Sequence, residues 1–396
     1  MISFRQLMSE VEKNLGFLST ILFMFFLPYL IGKAYTVSIL SVILIWAILA
    51  ISYDLLLGQA GILSFGHAAP FGVAAYVTAI LLLAGFPFLI SMIIAILAAG
   101  AINLFMGIPV RRVKGVYYAI LTLAIAETIR ISVDNFARYA GTSVSLIPGY
   151  PRFIFSEAFL YFCIMISFIL LVLVIYAMYD KIKKRARRDL FFYLSLSPYF
   201  IILILSIIGI IKMMSGNRLV IITINFYYLS LITFALSYYL AKIIVRSPMG
   251  SVWRAIRDNP IRAETIGYDT YKYSLYALFV SGAFAGIAGS LFALTTVVSP
   301  DSVLSATVTL LVLLSVILGG ISTLIGPVIG TFIVQYLRYS LSTIPILSYL
   351  SMAILGIIYI VVVIVFPYGI MGTWYLKAIG LRRKIRRKLI MILSSR

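Results

Sequence analysis

A single cysteine, Cys163, and a single histidine, His67, stand in a chain of 396 residues. One cysteine excludes a disulfide framework within the chain, and one of each excludes a Cys/His metal cluster within it. Charge is scarce as well, at 11% of residues, with only 12 Asp and Glu against 32 Lys and Arg. Soluble globular domains carry about 25% charged residues. A water-soluble fold of this length could not present a wettable exterior from so little polar material. Nucleotide and hydrolase signatures are missing too. The one Gly-Lys pair, Gly32-Lys33, is followed by Ala34 and lacks the preceding loop glycine of a Walker A sequence. No Rossmann fingerprint, His-Glu-x-x-His or Gly-x-Ser-x-Gly elbow occurs. The chain thus carries no recognised ATP site and no visible hydrolytic machinery, which favours a transport component over an enzyme.

What the chain has is apolar length. Hydrophobic residues make up 63% of it and the mean hydropathy is +1.12. A hydrocarbon core of about 30 Å takes roughly 20 apolar residues per helix. At that length the chain divides into about twelve spans, at 15–31, 37–57, 60–84, 88–110, 115–133, 157–179, 191–211, 219–241, 273–298, 303–318, 321–341 and 347–366. The fold class is therefore all-α: a polytopic transmembrane helix bundle over residues 1–376, followed by a basic tail, 377–396. The first run is preceded by Arg5, Glu10, Glu12 and Lys13 and closed by no small-x-small cleavage site, so a retained first helix is expected.

On a soluble protein a formal net charge of +20 would suggest nucleic acid. Here the basic residues gather in short loops between apolar runs, at 111–114, 181–188, 242–272 and 377–388, and orientation in a bilayer explains them without a nucleic-acid partner. With twelve spans and a cytoplasmic N-terminus all four clusters fall inside, together with roughly 25 of the 32 basic residues. Both termini are then cytoplasmic, in a multi-pass protein of the cell membrane. The tail interleaves Leu381, Ile385, Leu389 and Ile390 with arginines and lysines. It suits an anionic lipid surface at about 1 kcal/mol per basic residue, although topology anchoring alone accounts for it.

Three stretches depart from generic spans. Residues 58–72 hold four glycines, Pro70, Gln59, Ser64 and His67. Glycine and proline disrupt the helical ladder, and freed backbone groups survive in a membrane only where protein or water covers them. A broken helix lining a pathway is expected there, with Ser64, Phe65, Gly66, His67 and Phe71 as lining residues. Close packing through Ala68, Gly72 and Ala75 is the competing reading, and His67 alone is as consistent with a buried, hydrogen-bonded histidine. Glu127 and Arg130 share one helix face; Glu127 either faces the pathway or forms an ion pair near the outer helix end. Asp54 is similar, nearer the inner face. Finally, in the cytoplasmic loop 246–272, Pro248 and Gly250 mark the start of an ordered stretch, and Asn259-Pro260 starts a short helix that contains Glu264 and ends at Gly267. A docking element for a soluble partner explains this punctuation, which a solvated positive-inside loop does not. Gly282-x-x-x-Gly286 and Gly326-x-x-x-Gly330 are close-packing signatures. Gly319-Gly320 allow a broken helix or a re-entrant turn as readily as two full spans.

At these residues the sequence resembles the LivM-type permeases of branched-chain amino-acid ABC importers. The matching pieces are Gly61-Ile62-Leu63-Ser64-Phe65-Gly66-His67-Ala68-Ala69-Pro70-Phe71-Gly72, Gly115-Val116-Tyr117-Tyr118, Ser247-Pro248-Met249-Gly250 and Arg254-Ala255-Ile256-Arg257-Asp258-Asn259. Further on come Ala263-Glu264-Thr265-Ile266-Gly267, Ser299-Pro300-Asp301, Leu318-Gly319-Gly320, Gly326-Pro327 and Phe366-Pro367-Tyr368-Gly369. Each is weak alone; the ordered set, from 54 to 372, is specific. The resemblance implies an importer of two permease chains, the second LivH-like, with ABC ATPase subunits and an extracytoplasmic substrate-binding protein. It implies no cofactor on this chain, with ATP and Mg on the partner ATPase. It makes Arg254, Arg257, Asp258, Asn259, Pro260, Ala263, Glu264 and Gly267 the cytoplasmic coupling helix, with Ser64, Phe65, Gly66, His67, Phe71 and Glu127 along the path. Two departures stand out: an insertion of two spans over 157–211, which preserves orientation, and Ala140-Gly141-Thr142-Ser143 where relatives often read Thr-Gly-Gly. Branched-chain amino acids are the expected cargo, though relatives also carry urea, short amides and other amino acids. From a different class, a self-sufficient ion-coupled secondary transporter of small polar solutes would have only Asp54, His67 and Glu127 for ion sites.

Overall fold

The computed structural model describes residues 15–113, 115–139, 221–295 and 297–342, with single positions between 146 and 171 and between 353 and 373. The architecture is helical. In lipid every backbone N–H and C=O must find its partner within the protein, which long apolar runs achieve as helices. The elements are α1 (Leu15–Ile31), α2 (Ala34–Asp54) continuing into a π-turn (Leu55–Gln59), α3 (Ala68–Leu83), α4 (Phe88–Gly107) continuing into a 3-10 turn (Ile108–Arg111) and α5 (Val116–Tyr139). Then come α6 (Ile221–Arg246), α7 (Pro248–Asp258), α8 (Pro260–Thr265), α9 (Thr270–Phe292), α10 (Pro300–Val303), α11 (Ala306–Gly319) and α12 (Ile325–Ser342). Among the described residues there is no strand, only an isolated antiparallel bridge between Leu146 and Val298, paired in both directions at 2.9 Å.

Six described helices are long and apolar enough to cross a membrane: Ala34–Gln59, Phe88–Arg111, Val116–Asn135, Thr223–Arg246, Thr270–Phe292 and Pro300–Gly319. Expected span 191–211, the 140–143 loop and the basic tail lie outside the described residues, as does all but a few single positions of the expected spans 157–179 and 347–366, and hence most of the two-span insertion. The expected span 60–84 differs from what is observed. Its helix begins only at Ala68: the Gly61 and Ile62 amides still bond back to the Leu57 and Leu56 carbonyls, but the backbone of Ser64 and Phe65 is bonded to side chains of α2 and α5 instead of along its own ladder. At Gly319-Gly320 the structure has a break: α11 ends, Gly320 turns at φ +113°, Ser322 and Leu324 take left-handed conformations, and α12 starts at Ile325.

The chain divides into two compact units, residues 1–41 with 150–235, and residues 42–149 with 236–396. In the first, α6 is bound to α1 through tyrosines: Tyr227 donates to the Met24 carbonyl at 2.8 Å and Tyr228 to that of Phe25 at 3.1 Å. In the second, α9 packs against α3 and α4. A Cβ on Gly282 would lie 2.6 Å from that of Asn103, and one on Gly286 would lie 2.9 Å from that of Ala99. The missing side chains thus let α9 lie almost backbone to backbone on α4, where Asn103 donates to the Leu278 carbonyl at 2.6 Å. Gly326 and Gly330 do the same for α12 on α11, approaching the carbonyls of Gly319 and Ser315.

Candidate functional site

The broken segment is held by neighbours. Beyond the π-turn, Tyr53 donates to the Ser64 carbonyl at 2.8 Å, the Phe65 amide to Thr122 Oγ1 at 3.1 Å, and the Ala68 amide to Thr309 Oγ1 at 2.8 Å. These bonds replace the helical ladder, so the non-helical backbone is covered by protein, as an apolar medium requires. Ser64, Gly66, His67 and Phe71 are buried. His67 Nε2 lies 2.7 Å from Ser52 Oγ, whose own proton goes to the Leu49 carbonyl at 2.6 Å. Nε2 must therefore be the donor, which leaves Nδ1 a buried acceptor with no partner among the described residues. A Cβ on Gly66 would run into the Thr122 carbonyl. Its smallness is a packing requirement against α5, whatever else passes this segment.

Next to it lies a polar knot that joins both helix breaks to the short helices α7 and α8. Asp54, fully buried, accepts the Ser322 amide at 2.7 Å and the Leu324 amide at 3.3 Å. Those two N–H groups converge on the carboxylate because both residues are left-handed. The Gly58 carbonyl, in the π-turn, accepts from Ser322 Oγ and from Arg257 Nη1, each at 2.5 Å. Arg257 Nη1 also lies 2.6 Å from Ser322 Oγ. Gln59 donates to the Ser322 carbonyl at 3.3 Å and is approached by Arg254, which also donates to the Val245 carbonyl at 2.8 Å. A Cβ on Gly58 would overlap the Asp54 carboxylate and lie 2.8 Å from the Ser322 amide. The glycine is what allows the two breaks to touch.

The short helix pair α7–α8 forms as the sequence predicts from 259 onward. Asn259 caps α8 by accepting the Arg262 amide at 3.0 Å, Pro260 opens it, Ala263 is buried, and Gly267 ends it at φ +101°. The preceding amphipathic helix, Pro248–Asp258, was visible in sequence only as punctuation. Its anchor is Trp253, buried among Leu56, Ala60, Ala277 and Leu278 and donating to the Tyr273 carbonyl at 2.9 Å. Truncating such a side chain costs about 3–5 kcal/mol. The exposed Arg257–Asp258 pair, at 3.0 Å, belongs to a class worth about 0–1 kcal/mol. Trp253, not that ion pair, fixes α7. Glu264 is exposed and accepts from Thr270 Oγ1 at 2.5 Å. Ile261 in α8 and Ile266 just past its end are 73% and 70% exposed. A cavity of about 700 Å³ opens between these helices and the first break, lined by Gly61, Ile62, Arg111, Arg257, Glu264 and Lys272 among others.

Glu127 is not part of the knot. Arg130 donates to it through Nε at 2.7 Å, with Nη2 at 2.5 Å, and reaches Asp301 at 3.0 Å, tying α5 to α10. Among the described residues no His/Cys/Asp/Glu group is arranged to hold a metal. Sequence reasoning had picked out Arg254, Arg257, Asp54 and the glycine pair separately. It did not pick out Ser322, whose one signal was its place two residues beyond Gly319-Gly320.

The family model described as "Branched-chain amino acid transport system / permease component" matches residues 35–363. The high-affinity branched-chain amino acid transport system permease protein LivM of Escherichia coli (strain K12) is 26% identical over 367 residues, which is 92% of this chain and 76% of that protein. The probable branched-chain amino acid transport permease protein LivH of Methanocaldococcus jannaschii is 29% identical over 137 residues, 33% of this chain and 42% of that protein. The guanosine ABC transporter permease protein NupQ of Bacillus subtilis (strain 168) is 32% identical over 69 residues, 17% of this chain and 22% of that one. No solved structure matches the chain. With its apolar helices and these relatives, this is a multi-pass membrane protein and a transport component. The chain belongs to the family of branched-chain amino acid transport system permease components.

Proposed function

We propose that this chain, paired with a second, LivH-like permease chain, forms the translocation pathway of an ABC importer for branched-chain or related amino acids. ATP and Mg bind on partner ATPase subunits, and an extracytoplasmic binding protein delivers cargo. Both termini face the cytoplasm, as the loop charges require in a twelve-span chain. The match to LivM over 92% of the chain, against 17% for the guanosine permease, favours amino acids as cargo. Family membership favours this reading over a self-sufficient ion-coupled transporter.

The observation that carries the mechanism is Arg257, on α7, holding both the Gly58 carbonyl and Ser322 Oγ. Helix α8 is the coupling helix: its exposed isoleucines beside Arg262 and Glu264 dock on the ATPase, since large apolar groups on a polar loop are stabilised by a partner surface. An ATPase stroke displaces α7 and α8, and Arg257 passes the displacement to the two breaks. Breaks are where such motion is easily taken up, because their hydrogen bonds run to side chains rather than along a cooperative ladder. Ser64, Phe65, Gly66, His67 and Phe71 follow the first break and line the path, and Glu127 stands toward its outer end. The cavity beside Gly61 is its inner mouth.

The test is reconstitution of the chain with its cognate permease, ATPases and binding protein in proteoliposomes, reading uptake of radiolabelled leucine, isoleucine and valine. Uptake that requires both ATP and the binding protein is expected. Uptake driven by an ion gradient without ATP overturns the reading.

A further inference from the structure

Helix α12 carries a polar stripe that the mechanism above does not use. Thr331, Gln335, Arg338 and Ser342 recur at i, i+4, i+7 and i+11, on one face of the helix. With 18 residues α12 is as long as a span, yet it is not among the six helices apolar enough to cross a membrane. Gln335 is 0% exposed, and neither atom of its amide has a hydrogen-bond partner among the described residues. The Arg338 guanidinium, one turn further on, sits over the Trp46 ring with Cζ 5.9 Å from its centre, and no carboxylate pairs with it among the described residues. The buried indole N–H of Trp46 is likewise unpartnered. Trp46 packs on Phe71 and Phe292, with ring centres 6.3 and 6.4 Å away.

A buried amide and a buried indole N–H, unpartnered among the described residues and beside a cation with no carboxylate among them, are costly in an apolar surrounding and call for an explanation, most simply a ligand that completes them. Their chemistry is specific. Arg338 and the indole N–H ask for an anion with at least two acceptor oxygens; Gln335 Oε1 asks for a donor, and the rings beneath accept an aliphatic group. An α-amino acid with a hydrocarbon side chain supplies all three. Resting on the importer reading, we infer that Arg338, Trp46 and Gln335 form the site where the permease receives the charged head of its amino-acid cargo, the carboxylate at Arg338 and the ammonium at Gln335, with Phe71 and Phe292 flanking the side chain. Phe71, read from sequence as a lining residue, then meets cargo through its ring.

The test uses the complete importer in proteoliposomes and a diazirine analogue of leucine, photolysed during turnover, with the attachment sites mapped by peptide mass spectrometry. Labels on peptides holding Trp46, Phe71, Phe292 or Gln335 are expected; labels confined to other helices overturn the site. In the same vesicles Arg338→Gln is expected to lower the maximal leucine uptake at saturating binding protein at least tenfold while the complex still co-purifies, and Arg338→Lys to restore part of it. Should Arg338→Gln fail to assemble, Gln335→Leu, similar in size and unable to hydrogen-bond, is read for the same loss. Wild-type uptake unmatched by any loss in Arg338→Gln or Gln335→Leu overturns the site alone, as it would if Arg338 merely reached out to lipid phosphate. A wild-type complex without ATP-dependent amino-acid uptake overturns the importer reading beneath it.

Discussion

Replacing Arg257 by Gln tests whether the knot transmits force. The shorter, neutral side chain reaches neither the Gly58 carbonyl nor Ser322 Oγ, the two contacts that Arg257 makes at 2.5 and 2.6 Å. Hydrogen bonds to a charged group are worth about 1.5–3 kcal/mol each. The Arg257 side chain is 30% exposed, so water takes back part of that; about 2–3 kcal/mol is a fair figure for the two together. If that energy holds the motion of α7 to the motion of the two breaks, the ratio of cargo moved to ATP hydrolysed falls roughly 30- to 150-fold, at 1.4 kcal/mol per factor of ten. The assay follows labelled leucine and released phosphate in one proteoliposome preparation. ATP hydrolysis should continue while uptake collapses. Ser322→Ala should lose part of the same coupling, and the double variant less than the sum, because the two residues share the Gly58 carbonyl. An assembled Arg257→Gln complex with a leucine-to-ATP ratio within twofold of wild type would refute the reasoning.

Glu264→Arg places a third cation near Arg262 and Lys272 and removes the acceptor of Thr270; transport should fall at least fivefold with the chain still inserted, and normal uptake would remove α8 from the docking surface. Gly289→Val pushes a branched side chain into the Phe71 carbonyl and Ala74. Overpacking of this kind costs about 1–3 kcal/mol, so the melting temperature in detergent should drop; an unchanged melt would mean α9 does not rest on α3 as described. Asp269 caps α9 by accepting the Lys272 amide at 3.0 Å, and that bond, with the Lys272 ammonium at 3.2 Å, holds its carboxyl below the usual range. A lowered carboxyl contributes stability that is present above its unfolded pKa, about 3.9, and is lost as pH falls through the still lower folded value. Asp269→Ala should therefore flatten that acid limb in a pH series of thermal melts, while the wild type retains it.

The helical class, the membrane setting and the punctuation of α8 were all legible along the chain, because each is a local property. Apolar run length, proline and glycine placement and an Asn cap act within a few residues. The break after Gln59 was legible for the same reason, as was the stop at Gly319-Gly320. The close-packing reading of Gly282 and Gly286 also held, with α4 as the surface they meet. The helix Pro248–Asp258 was only half seen, since its apolar side is one buried tryptophan and a valine rather than a long stripe.

Sequence by itself thus determined that this is an all-helical, membrane-embedded transport component with two interrupted segments and an ordered polar loop between spans. Only the tertiary structure decided that those three features meet. Asp54, Gly58, Arg257 and Ser322 span 268 positions of chain, and nothing in local pattern pairs them. They converge because carbonyls and amides freed at helix breaks need partners where water is scarce, and the partners at hand are side chains brought in by other helices. The same holds for Trp46 and Arg338, whose juxtaposition follows from how α12 packs and not from any spacing a sequence can show.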